Sequence, residues 1–130
     1  MIRTQRYKLI HNLNYLSPFP IDQDFYISPT FQDLLNRTKE NVPTRWFKSL
    51  KDYYQRPEWE LYDIKMDSEE VNNLFGKASM KNIFMELNNR LLKWQWATKD
   101  PWVCSPHAVL EDKGPYRKSP VCMDLFNSFK

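Results

Sequence analysis

Apolar residues recur along this chain with two periods, and the changes of period divide it into elements. Met80, Ile83, Phe84, Leu87, Leu91 and Trp94 follow a 3.6-residue repeat. That repeat predicts the longest helix, Ala78 to Trp96, with one apolar stripe turned to a core and Asp100-Pro101 closing it. Phe31, Leu34 and Leu35 make a shorter stripe behind Ser28-Pro29. Serine as N-cap and proline at the first helical position predict a helix start there, with an end before Pro43. Trp46, Phe47, Leu50, Tyr53 and Tyr54 predict another helix from Thr44 to Tyr54, stopped by Arg56-Pro57.

Two segments change to period two. Arg6 to Leu13 mixes alternation with an apolar pair, and Trp59 to Asp63 sets Trp59 and Leu61 on one face against Glu60 and Tyr62 on the other. Both read as strands. Asn14 to Asp24 is a loop carrying Pro18 and Pro20, and Asp63 to Glu70 is an acidic turn. Trp102 to Lys130 has no period and contains Pro106, Pro115 and Pro120. The elements predict an α+β fold: a small antiparallel β-sheet packed by a long C-terminal helix, followed by an irregular wrapping tail over 101–130.

A chain of 130 residues is the size of one domain, burying roughly two-thirds of its unfolded surface. Aromatic content of 15% removes it from the disordered class, which is poor in such residues. The formal charge is +3, with both signs interspersed; the densest basic run, Arg3 to Lys8, reads as a solvated edge. No clustered recognition face argues for nucleic acid. No apolar run approaches the roughly 18 residues that span a membrane. The charged start, Met1 to Arg6, leads into no apolar h-region. No signal peptide is therefore expected in the chain, which would be cytosolic if expressed as it stands.

Candidate chemistry is sparse. Asp22 and Asp24 on the Pro-flanked loop could be a metal or acid–base pair, but Asx capping of a turn explains them more simply. Asp63, Asp67, Glu69 and Glu70 lack the central glycine of a calcium-binding EF-hand loop. His11 has no serine or aspartate at a suggestive offset and reads as structural. Trp94 reads as core, and Trp96 and Trp102 as packing against the tail or a neighbouring domain. Cys104 and Cys122 are the only cysteines; a disulfide and two buried thiols both remain open from the residues alone. Asn36-Arg37-Thr38 is an N-x-T sequon at the polar end of a short helix.

The strand and its turn also carry a signature. Trp59-Glu60-Leu61-Tyr62-Asp63, then Asp67, Glu70, Asn73 and Leu74, resembles the segment near the C-terminus of sulfatases. Phe19 to Tyr26, Ser28 to Thr38, Lys93 to Trp96 and Asp100 to Cys104 extend the likeness to the sulfamidase branch, the N-sulfoglucosamine sulfohydrolases, from about Arg3 to Cys122. Asp67-Ser68 departs from the usual Asp-Pro of the signature.

The resemblance implies the smaller, C-terminal domain of a lysosomal enzyme of heparan sulfate breakdown. Formylglycine and calcium would belong to an N-terminal catalytic domain absent here, and no cofactor is expected in this chain. Cys104-Ser105-Pro106-His107-Ala108 begins like the C-x-P-S-R nucleophile motif, then replaces its serine and arginine. The resemblance instead implies a Cys104–Cys122 disulfide, a glycan on Asn36, a homodimer, structural roles for the signature residues, and Asp22 and Asp24 at the rim of the pocket. By itself such a domain would be inactive. The alternative is a glycan- or protein-binding module with no enzyme attached.

Overall fold

In the computed structural model, residues 1–125 are described. Strands β1 (Ile2–Arg3), β2 (Tyr7–His11) and β3 (Trp59–Asp63) form an antiparallel sheet in that order. Leu9 faces Leu61 across the β2–β3 ladder, and Tyr7 faces Asp63. Helices α1 (Gln23–Tyr26), α2 (Pro29–Lys39) and α3 (Leu50–Tyr54) lie in the long connection between β2 and β3. A 3-10 turn over Ala78–Met80 leads into α4 (Lys81–Thr98).

The alternation read along β3 places Trp59 and Leu61 against α4. Leu9, Leu61 and Leu87 form the core, with Ile2, Tyr7, Trp59, Leu74, Met80, Ile83 and Phe84 packed around them. Each fully buried leucine contributes roughly 1.5–3 kcal/mol of transfer free energy. A second nucleus joins Phe31 of α2 to Leu50 of α3, both buried, with Phe25 5.1 Å from the Phe31 ring.

Helix α2 starts as its sequence predicts: Ser28 accepts a hydrogen bond from the Phe31 N–H, with proline in the first turn. The helix expected from Thr44 to Tyr54 is only its last part, Leu50–Tyr54. Arg45 has φ of 60°, a left-handed conformation that breaks a helix. Ser49 and Asp52 then form a reciprocal capping box that begins the helix afresh.

The tail is more regular than its prolines suggest. β4 (Ala108–Glu111) and β5 (Val121–Asp124) pair antiparallel, with Leu110 opposite Cys122. Pro106, Pro115 and Pro120 all lie outside the strands, where no ladder donor is lost. Cys104 and Cys122 form a disulfide with Cα atoms 5.5 Å apart, tying the turn after α4 to the ribbon.

Candidate functional site

β3 is an edge strand, and an edge strand exposes unpaired backbone groups. Here residues 73 and 74 cover it. The Asn73 side chain accepts the Leu61 N–H at 2.9 Å and the Phe75 N–H at 3.0 Å, and donates to the Trp59 carbonyl at 3.1 Å. The Leu74 N–H donates to the Leu61 carbonyl at 2.7 Å. One amide side chain and one backbone N–H thus replace the missing neighbour strand.

The acidic turn closes on itself in the same way. Asp67 accepts the N–H groups of Val71 at 3.1 Å and Asn72 at 2.7 Å, and these backbone bonds hold its carboxyl below the usual range. The Arg6 guanidinium, 2.9 Å from Asp63, lowers that carboxyl too. Glu70, with φ of 56°, meets the Lys8 ammonium at 2.6 Å. Asp63, Asp67 and Glu70 are thus each committed to partners within the chain.

The face of β3 turned away from α4 is polar yet buried. Glu60 and Tyr62 are each only 4% exposed. The Tyr62 hydroxyl donates to Glu60, the Asn12 amide donates to the same carboxylate at 2.7 Å, and the Arg56 guanidinium stands 3.8 Å away. Burial foremost, and then the hydrogen bond to Glu60, push the Tyr62 phenol well above its ordinary range. These residues floor a cavity of about 190 Å³ walled by Phe47, Lys48, Asp52, Arg56, Val71 and Asn73. Phe47 is 56% exposed, and the Lys48 ammonium lies 5.6 Å from its ring centre. Sequence reading singled out Glu60, Tyr62 and Asn73 but missed Phe47, Lys48 and Arg56. Phe47 and Lys48 come from a segment that looked helical and Arg56 from its stop, and only the fold brings them over the strand.

The other candidates fall in separate places. Asp22 caps α1, accepting the Asp24 N–H at 2.9 Å. Asn36 is exposed on α2. His11 stacks on Trp59 with ring centres 4.0 Å apart. Its Nε2 is buried without a hydrogen bond, 3.6 Å from Glu58. Cys104 is committed to its disulfide, so the fragment resembling a nucleophile motif offers no thiol. Among the described residues no three His, Cys, Asp or Glu side chains converge as metal ligands, so the calcium of a sulfatase does not fit this donor set. No helix among them is long and apolar enough to cross a membrane.

The tryptophans correct one expectation. Trp94 is 59% exposed rather than in the core, lining an open hollow with Ile2 and Arg3 of the two-residue edge strand β1. Trp96 and Trp102 are exposed as well. On the other side, Phe25, Phe31, Leu34, Trp46, Leu50 and Tyr53 line an apolar hollow of about 370 Å³. Monomeric domains rarely leave this much aromatic surface uncovered.

A family model described as N-sulphoglucosamine sulphohydrolase, C-terminal, matches residues 23–97, more than half of the chain. Human N-sulphoglucosamine sulphohydrolase is 51% identical over 126 residues, covering 97% of this chain but 24% of that protein. An ulvan-active sulfatase of Formosa agariphila is 33% identical over 76% of this chain and 17% of its own length. An N-acetylglucosamine-6-O-sulfatase of Bacteroides thetaiotaomicron is 41% identical over 45% of this chain and 11% of its own. The chain therefore spans a quarter or less of the length of these relatives.

Proposed function

The chain belongs to the N-sulphoglucosamine sulphohydrolase C-terminal family, and on that premise we propose that it is the C-terminal domain of a sulfamidase that hydrolyses the N-sulfate of glucosamine residues in heparan sulfate. The observation that carries this reading is the self-sufficiency of the signature segment. Glu60, Tyr62, Asp63, Asp67, Glu70 and Asn73 are all engaged with partners inside the chain, so they build a scaffold rather than attack a substrate. Calcium and formylglycine belong to the catalytic domain of sulfatases, and no chemical step is assigned to residues 1–130.

The domain's contributions are structural. It completes the enzyme's fold through its uncovered aromatic surfaces, borders the substrate pocket with the loop of Asp22 and Asp24, and takes part in a homodimer. In a lysosomal enzyme the exposed Asn36 carries a glycan and the Cys104–Cys122 bond forms in the oxidising secretory route.

A chimera tests this reading. The chain replaces the corresponding quarter of human N-sulphoglucosamine sulphohydrolase, and sulfate release from N-sulfoglucosamine is measured. Activity within about tenfold of the parent, a loss below 1.4 kcal/mol, is expected from the chimera, and none from the 130-residue chain alone. A folded but inert chimera, or sulfate release by the chain alone, overturns it.

A further inference from the structure

The cavity over the polar face of β3 holds a combination that scaffolding does not require. Its floor is the Glu60–Tyr62 pair, each residue 4% exposed. Its walls include an open aromatic face, Phe47, and two cations, Lys48 and Arg56. Lys48 makes no ion pair among the described residues and rests over the Phe47 ring at 5.6 Å. Arg56 stands 3.8 Å from Glu60, beyond hydrogen-bond reach, which leaves its N–H donors available. The fourth charged group, Asp52, is spent on the Ser49 capping box.

We propose that this cavity binds one ring of a sulfated sugar, with the pyranose against Phe47, its hydroxyls on the Glu60–Tyr62 floor and its sulfate between Lys48 and Arg56.

The size of the cavity, the exposed Phe47 ring and the donors of Lys48 and Arg56 suit that occupant. A volume of about 190 Å³ admits one sugar ring and little more. The apolar face of a pyranose suits an exposed ring. A carboxylate oxygen that already accepts one hydrogen bond keeps a lone pair for a hydroxyl. Two cations in the lining suit an anionic oxygen cluster, with Arg56 able to bind it bidentately. An apolar protein segment would instead strand the Lys48 charge on burial. The proposal rests on the sulfamidase reading for its choice of sulfate over other anions. It adds a saccharide contact on a domain to which no chemistry is assigned.

The test titrates the 130-residue chain with glucosamine N-sulfate and a heparin-derived disaccharide, read by ligand-detected NMR and calorimetry. Glucosamine and inorganic sulfate are the comparison ligands. Phe47→Ala and Lys48→Ala alter residues outside the Leu9–Leu61–Leu87 core, and circular dichroism checks that both variants fold. Trp94→Ala, on the helix across the sheet, is the control for non-specific stacking.

Binding of the sulfated sugars is expected to weaken about tenfold in each cavity variant, the scale of one lost charge-assisted or stacking contact. It should persist in Trp94→Ala and exceed that of glucosamine or sulfate alone. Unchanged binding in Phe47→Ala and Lys48→Ala overturns the proposal, as does no binding to the parent chain. Cavity-dependent binding with a folded, inert chimera would sink the sulfamidase reading alone. An active chimera with no cavity-dependent binding would sink the subsite alone.

Discussion

Asn73 completes the sheet at Leu61. The side-chain amide takes the Leu61 N–H at 2.9 Å while Leu74, the next residue, donates to the Leu61 carbonyl at 2.7 Å. Two adjacent signature residues therefore satisfy both backbone groups of a residue that is fully buried.

Replacing Asn73 with alanine leaves the Leu61 and Phe75 N–H groups and the Trp59 carbonyl without this partner. A loss of about 2 kcal/mol in unfolding free energy is expected, since a stranded buried donor costs roughly 1–3 kcal/mol. Asn73→Asp keeps the acceptor and loses only the donor, so it should cost less. Urea unfolding of the three proteins checks the order; equal stabilities would remove the sealing role.

Tyr62 should resist ionisation. Its phenol sits above the ordinary range because burial and the bond to Glu60 favour the neutral form. The folded value is above the unfolded one, so this stability is fully present below about pH 10 and declines as pH rises toward the folded value. Spectroscopic titration should show a tyrosine that ionises only as the protein unfolds. In Tyr62→Phe that late step should vanish, with a stability loss of about 1 kcal/mol for one hydrogen bond.

His11 works on the acid side. Burial lowers its affinity for a proton more than Glu58 raises it. The unfolded chain then binds the proton first, so stability falls as pH drops through about 6.5. His11→Phe keeps a ring on Trp59 and should flatten the melting temperature between about pH 7 and 5. An unaltered slope in the variant would assign that limb to other groups.

Asp63 and Asp67 set a separate, lower limb. Their carboxyls are depressed by Arg6 and by backbone N–H groups respectively. This contribution holds above the unfolded value of about 4 and is lost as pH falls through the folded values. Melting curves of Asp67→Asn should show a shallower decline below about pH 4 than the parent.

Reduction of Cys104–Cys122 should loosen the β4–β5 ribbon first. The crosslink closes a separation of 18 residues, for which chain entropy gives about 3 kcal/mol. The paired substitution of both cysteines by alanine should reproduce the effect of reductant. Hydrogen exchange should rise at Ala108–Glu111 and Val121–Asp124 and change little in β2 and β3.

What the sequence determined by itself is local. Ser28-Pro29 placed the start of α2, the 3.6-residue repeat placed α4, and alternation assigned the two faces of β3, because capping and periodicity act within a few residues. The Trp59–Asp63 string with Asn73 and Leu74 was enough to point to the family. Tertiary structure decided the rest. The spacing of Trp46, Phe47, Leu50 and Tyr53 fitted a helix, yet Arg45 turns left-handed and Ser49 restarts the chain, which frees Phe47 and Lys48 to reach β3. The ribbon of β4 and β5 depends on pairing across a proline-containing loop, and no local period announces it. Trp94 belongs to the apolar stripe but not to the core, because it meets only the two-residue edge strand β1, which is too short to cover it.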